Sequence, residues 1–105
     1  MKYIITALLM ACAITAPVLA DGWDKDDRYY QLHRQQFISY EKAAQIALAA
    51  FEAKYQKKGV VDDVDFEHKF SGDYFEVEIK DEIGMEYEVR LDARTGKVIF
   101  IKTDD

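Results

Sequence analysis

Cysteine is almost missing from this chain. The single one, Cys12, sits inside the apolar N-terminal stretch, so a chain that sheds that stretch enters an oxidising compartment with no disulfide and no thiol chemistry. Its stability must come from packing. Histidine is nearly as scarce: His33 and His68 are the only two, and no His-Glu-x-x-His spacing or Cys/His set exists to bind zinc. Basic charge is the third shortage, with 14 Lys and Arg against 20 Asp and Glu and a net charge of −6. That balance argues against nucleic acid or an anionic membrane as partner. A basic or neutral protein is the easier electrostatic match, although acidity is also an ordinary solubility device.

What is present begins with Met1-Lys2 and an apolar run over residues 3–19, closing on Val18-Leu19-Ala20 before the polar Asp21-Gly22. This is the layout of a secretory signal peptide cut after Ala20, which predicts a periplasmic or secreted protein with no membrane attachment after cleavage. Two other readings stand beside it. An uncleaved anchor is nearly long enough to span a bilayer, but Pro17 and the small-residue exit oppose it. Leu9-Met10-Ala11-Cys12 resembles a lipoprotein processing site, yet the apolar run continues through Ala13, Ile14 and Val18. Removing the first 20 of 105 residues leaves 85, and losing Lys2 takes the net charge from −6 to −7. A chain of that size makes one small domain burying about 60% of its unfolded surface.

Residues 21–37 read as a polar leader, with Trp23, Tyr29, Tyr30 and Leu32 as apolar anchors in a solvated tail or a short helix over the domain edge. Asp24, Asp26 and Asp27 suggest a calcium loop, but Tyr29 and Gln35 stand where an EF-hand needs glycine and glutamate.

At Ile38 the pattern changes. Ser39 suits an N-cap, Glu41 the positive helix end and Ile38 a hydrophobic staple, and the spacing predicts a helix running to about Lys58 with Ala44, Leu48, Phe51 and Tyr55 as its buried stripe. Ala43, Ala47 and Ala50 give it a flat face that can lie close on a sheet. Lys57 and Lys58 complement the negative end, and Gly59 is expected to close the helix in the left-handed conformation. Beyond it the period drops to 2: Val64, Phe66, His68 and Phe70, then Phe75, Val77 and Ile79, then Met85, Tyr87, Val89 and Leu91 share an apolar face. Asp65, Glu67 and Lys69, then Tyr74, Glu76, Glu78 and Lys80, then Glu86, Glu88 and Arg90 form the opposite one. Ser71-Gly72-Asp73 and Glu82-Ile83-Gly84 supply turns. Asp92 to Gly96 is a tight turn in which Asp92 accepts backbone hydrogen bonds and Gly96 takes the left-handed position, and residues 98–101 make the last strand. The fold class is α+β, one long helix packed on an antiparallel β-meander of three to four strands.

Three pieces together carry a family resemblance: Ile38-Ser39-Tyr40-Glu41-Lys42-Ala43-Ala44-Gln45-Ile46-Ala47 at the helix opening, Tyr74-Phe75-Glu76-Val77-Glu78-Ile79 in the middle, and Leu91-Asp92-Ala93-Arg94-Thr95-Gly96-Lys97-Val98 near the end. Over residues 38–101 the chain resembles the PepSY domain. Such domains also occur in propeptides of thermolysin-type secreted metallopeptidases, so the resemblance implies binding and restraint of a peptidase outside the cytoplasm. It brings no catalytic residue, and here no peptidase follows the domain in the same chain.

The residues themselves point away from catalysis and call for no cofactor and no metal. Ser39 and Ser71 have cap and turn roles, and His68 falls on the apolar phase of its strand, where a hydrogen-bonded structural ring is the commoner outcome. Three function classes remain. The first is a secreted module that binds a protein, a peptidase by family inference, with Tyr74, Glu76, Glu78, Glu86, Glu88 and Arg90 as the partner-binding sheet face. The second is a weak divalent-cation binder using Asp62, Asp63, Asp65 and Glu67, opposed by their alternation across two faces. The third is an accessory module that self-associates through an edge strand.

Overall fold

In the computed structural model, which describes residues 25–104, four antiparallel strands form one sheet: β1 (Val60–Lys69), β2 (Gly72–Lys80), β3 (Glu86–Asp92) and β4 (Val98–Thr103). Their spatial order is their chain order, a plain meander. Two helices precede it, α1 (Lys25–Leu32) and α2 (Tyr40–Tyr55), joined through a 3-10 turn at Arg34–Gln36. The expected α+β architecture is the observed one. Residues 1–20, with Cys12 and the signal-peptide reading, and Trp23 of the leader lie outside the described residues.

Helix α2 starts as its sequence dictates. Ser39 is the N-cap in extended conformation, and its hydroxyl accepts from the Lys42 amide at 2.9 Å. Ala43, Ala44, Ala47, Leu48 and Phe51 are buried, and the three alanines let the helix settle onto the sheet. Its other end departs from expectation. The helix stops at Tyr55, and Gln56, not Gly59, takes the left-handed conformation, at φ 56°. Gly59 is instead buried where β1 begins, and a Cβ there would sit 2.7 Å from both Ile79 Cγ2 and Phe51 Cε2. Close approach of chain to core requires this glycine.

Strict alternation fills the interior. Phe75, Val77 and Ile79 of β2 and Val89 and Leu91 of β3 are fully buried under Phe51, with Tyr87 and Phe66 beside them. Register pairs like with like: Phe66 lies opposite Phe75 and Leu91 follows on, while Val77 lies opposite Val89. Phe70 is corrected. It stands at the tip of the β1–β2 hairpin, fully exposed, because the reversal occupies Phe70 and Ser71 and β2 already begins at Gly72. The β3–β4 turn follows the sequence reading closely: Asp92 Oδ1 accepts from the Arg94 and Thr95 amides at 2.8 Å each, and Gly96 has φ 80°. Ala93 adds an unexpected role. Fully buried, it accepts from the Ile38 amide at 2.8 Å and donates to Asp73 O at 3.1 Å, tying the turn to the helix entry and to β2.

Of the two forms expected for residues 21–37, the described part takes the short helix over the domain edge, although Leu32, expected as an anchor, is exposed. Tyr30 is 6% exposed, packed among Phe37, Tyr40, Phe66 and Phe75, and its hydroxyl donates to Ile38 O at 3.0 Å. Tyr29 stacks on His68 at 3.7 Å between ring centres. Two adjacent aromatics are enough to seat a short helix whose remaining positions are almost all polar.

Candidate partner-binding face

Both helices lie on the same side of the sheet, because the apolar side chains of all four strands point that way. The opposite side carries the alternate residues, and the register arranges them in rows across the strands. One row is Asp65, Glu76, Arg90 and Phe100; the next is Asp63, Glu78, Glu88 and Lys102. Tyr74, Glu76, Glu78, Glu86, Glu88 and Arg90 therefore do share one open face, each of them half-buried. The face divides them into two groups.

In the first, Arg90 is the hub. Its guanidinium lies 4.1 Å from the Tyr74 ring centre and 4.8 Å from that of Phe100, while Nη2 donates to Glu76 at 2.7 Å and lies 3.5 Å from Glu88. Its buried Nε has no hydrogen-bond acceptor among the described residues. Burial alone would weaken the charge, but Glu76, Tyr74 and Glu88 outweigh it and raise the pKa. Strand β4 contributes Phe100, which the periodicity missed because a bulge between Arg90 and Leu91 changes which residues of β4 face out.

In the second group, carboxylate oxygens of Glu78, Glu86 and Asp104 all lie within 4.8 Å of one another. Burial, then repulsion from Glu86, Asp104, Asp63 and Asp62, pushes the Glu78 carboxyl up. Burial, then proximity to Glu76, does the same to Glu88 despite Arg90 and Lys102. Asp65 is pushed up to about 7 by burial first, then by its hydrogen bond to Asp63 and repulsion from Asp63, Glu67 and Glu76. The four residues of the cation reading do not gather into one group. A bulge between Val61 and Asp63 takes Asp62 out of register, where it faces Lys80 at 3.7 Å.

Cations on this face are largely committed. Lys80 lies 3.6 Å from Glu86, Lys69 lies 3.2 Å from Glu67, and Arg90 serves Glu76 and Glu88. Asp63, Asp65 and Glu78 have no cation within 4 Å among the described residues.

The residues weighed for catalysis have structural roles. His68 Nδ1 pairs with Asp73 Oδ1, and Asp73 also holds Arg94 at 3.2 Å. His33 packs on Tyr29 at 4.3 Å. The buried acid that sequence reasoning missed is Asp81: Lys57 Nζ at 2.9 Å and Tyr87 OH at 3.1 Å donate to Oδ2, and the Ile83 and Met85 amides donate to Oδ1 at 3.1 and 2.9 Å. The Lys57 contact first, then the two amides and Tyr87, holds its carboxyl below the usual range against burial. The carboxylate thus closes the β2–β3 loop through two of its own amides and ties it to Tyr87 of β3 and to Lys57, just past the end of α2.

No curated protein and no solved structure gives a significant match to the chain. The family model described as peptidase propeptide and YPEB domain matches residues 37–102, which span both the helix opening and the Asp92 turn. The chain belongs to the PepSY family.

Proposed function

We infer that this protein is a non-catalytic binding module that works outside the cytoplasm, docking on an envelope peptidase and restraining it. The observation that carries the reading is the half-covered sheet. One face is closed by α1 and α2, while the other presents an ordered lattice of charged side chains around Arg90, Tyr74 and Phe100. Arg90 stabilises the sheet across β2, β3 and β4, and with Tyr74 and Phe100 it gives that face the amphipathic, arginine-centred character common at protein interfaces. Family membership favours a peptidase as the partner, since the matched model is named for peptidase propeptides. Among the described residues no helix is long and apolar enough to cross a membrane, and a cleavable signal over residues 1–20 would deliver the domain to the compartment where secreted peptidases act.

The test adds the purified protein to an envelope extract of the source cell and follows peptide hydrolysis, with the retained peptidase then identified on the immobilised protein. Saturable loss of activity, weakened when Arg90 is replaced by Ala, supports the reading. Undiminished hydrolysis at a large excess of the protein sinks it. Self-association would then appear as a dimer by native mass measurement.

A further inference from the structure

We propose that Phe70 is the anchor by which this domain enters its partner, its ring filling an apolar side-chain pocket of the peptidase. This rests on the binding-module reading and adds the residue and the pocket chemistry through which it works.

Phe70 has no task inside the fold. Its side chain is fully exposed at the tip of the β1–β2 hairpin, between the last residue of β1 and Ser71. Such tips ordinarily take Gly, Asn, Asp or Ser for conformational reasons that a phenylalanine does not meet. Gly72, at φ 140°, already supplies the unusual backbone of the reversal. Neither packing nor turn geometry accounts for the ring, and its apolar surface is left in water.

Single exposed apolar side chains are ordinary on a protein surface. The stem beneath Phe70 is what separates it from them. Lys69 pairs with Gly72 and His68 with Asp73, so the ladder is intact up to the two tip residues. His68 Nδ1 is bonded to Asp73 Oδ1, Arg94 donates to Asp73 Oδ2 at 3.2 Å, and the Ala93 amide donates to Asp73 O at 3.1 Å. On its other side the His68 ring stacks on Tyr29 of α1. The hairpin end is therefore tied to the β3–β4 turn and to α1. A projecting aromatic on a backbone that is already ordered loses little freedom on binding, which is how apolar area becomes affinity.

Shape, charge and position decide what this tip fits. A projecting ring needs a recess to bury it. The recess on this chain lined by residues 31–36 is polar except for Leu32, so a second copy is a poor socket. A lipid surface is opposed by charge, because Lys69 at the stem is paired with Glu67 at 3.2 Å and the chain carries a net charge of −6. Peptidases select substrates through side-chain pockets, and an apolar pocket of that kind can take a ring offered by another protein. The tip also adjoins the Arg90 face, since Tyr74, on which Arg90 lies, is two residues beyond Gly72. One partner can meet both.

The test compares the parent with Phe70→Ala, Phe70→Leu and Ile83→Ala in the inhibition of peptide hydrolysis by the envelope extract, using a peptide substrate with Phe beside the scissile bond. Inhibition by the parent should be competitive with that substrate. Phe70→Ala should raise the concentration for half inhibition at least tenfold, and Phe70→Leu should recover part of the loss. Ile83→Ala trims another exposed apolar side chain in the β2–β3 loop, at the opposite end of the sheet, and should change nothing. All three leave the core untouched and should melt with the parent. Equal inhibition by Phe70→Ala overturns the proposal, and so does an equal loss with Ile83→Ala. Binding of the parent to phosphatidylglycerol vesicles that Phe70→Ala abolishes would assign the ring to lipid and overturn it as well. The two failures are distinguishable: full inhibition by Phe70→Ala removes this inference alone, whereas a parent that inhibits no peptidase removes the restraint reading and this one with it.

Discussion

Replacing Tyr30 by alanine tests whether α1 is part of the folded unit or a decoration on it. The ring is 6% exposed and stands 4.8 Å from Tyr40, 5.2 Å from Phe66, 5.8 Å from Phe37 and 6.0 Å from Phe75, so its removal opens a ring-sized void among four aromatics that are fixed from other elements. Truncation of a buried aromatic costs about 3–5 kcal/mol. A domain of this size has a total stability of roughly 4–12 kcal/mol. The variant should therefore lose a large share of its stability, and at about 4–8 °C per kcal/mol its midpoint should fall by at least about 12 °C. Tyr30→Phe isolates the hydroxyl, whose bond to Ile38 O at 3.0 Å contributes about 1 kcal/mol, and should fall only one such step. Thermal and urea unfolding followed by far-UV circular dichroism reads both, with the urea slope checking that the unfolded state is unchanged. If Tyr30→Ala melts within about 4 °C of the parent, α1 does not belong to the core, and the packing argument for it is wrong.

Gly59→Ala should destabilise by about 1–3 kcal/mol, because the added methyl meets Ile79 and Phe51 at 2.7 Å inside a filled core; a neutral outcome in the same unfolding assay would show that the β1 entry can shift outward. Asp81→Asn turns a donor towards Lys57 and Tyr87, so hydrogen exchange at the Met85 and Ile83 amides should quicken selectively, and uniform exchange across the sheet would refute the fastening role. Stability should also depend on pH in a direction set by the open face. Asp65 titrates near 7 when folded against about 3.9 unfolded, so its contribution is complete below about pH 3.9 and is lost as pH rises through 7. Glu78 and Glu88, also raised, act in the same sense. Asp81 and Asp92 are lowered and act oppositely, their contribution being present above about pH 3.9 and lost as the pH falls through their folded values. The midpoint should thus be higher at pH 5 than at pH 8 and drop again in strong acid; a midpoint that climbs from pH 5 to pH 8 contradicts it.

Much of this fold was legible because its local signals agree with its global arrangement. Ser39 caps the helix it was expected to cap, Gly96 has the positive φ that its turn needs, and Phe75, Val77, Ile79, Val89 and Leu91 point inward as alternation requires. What escaped were features decided by residues distant in sequence. Gly59 reads locally as a helix stop, yet its role comes from Ile79, and only contact across the sheet reveals it. Tyr30 was legible as an apolar anchor in a polar segment, but not the depth of its burial, because Phe37, Tyr40, Phe66 and Phe75 are contained together by no window around it. Asp81 looks like another loop acid until Lys57 and Tyr87 converge on it.

The outer face shows the same division and gives it a functional edge. Periodicity alone could assign Tyr74, Glu76, Glu78, Glu86, Glu88 and Arg90 to one side, but not distinguish the carboxylates that Arg90 reaches, Glu76 and Glu88, from Glu78, which it does not. That distinction depends on register. Arg90 lies opposite Glu76 and Phe100, whereas Glu78 lies opposite Glu88 and Asp63; a shift of one residue in either pairing would turn every one of these side chains to the other face. The buried alternation of Phe75, Val77 and Ile79 is what prevents such a shift. The hydrophobic core therefore does more than hold the domain together: by locking register, it fixes which carboxylates on the far side face one another and which face Arg90.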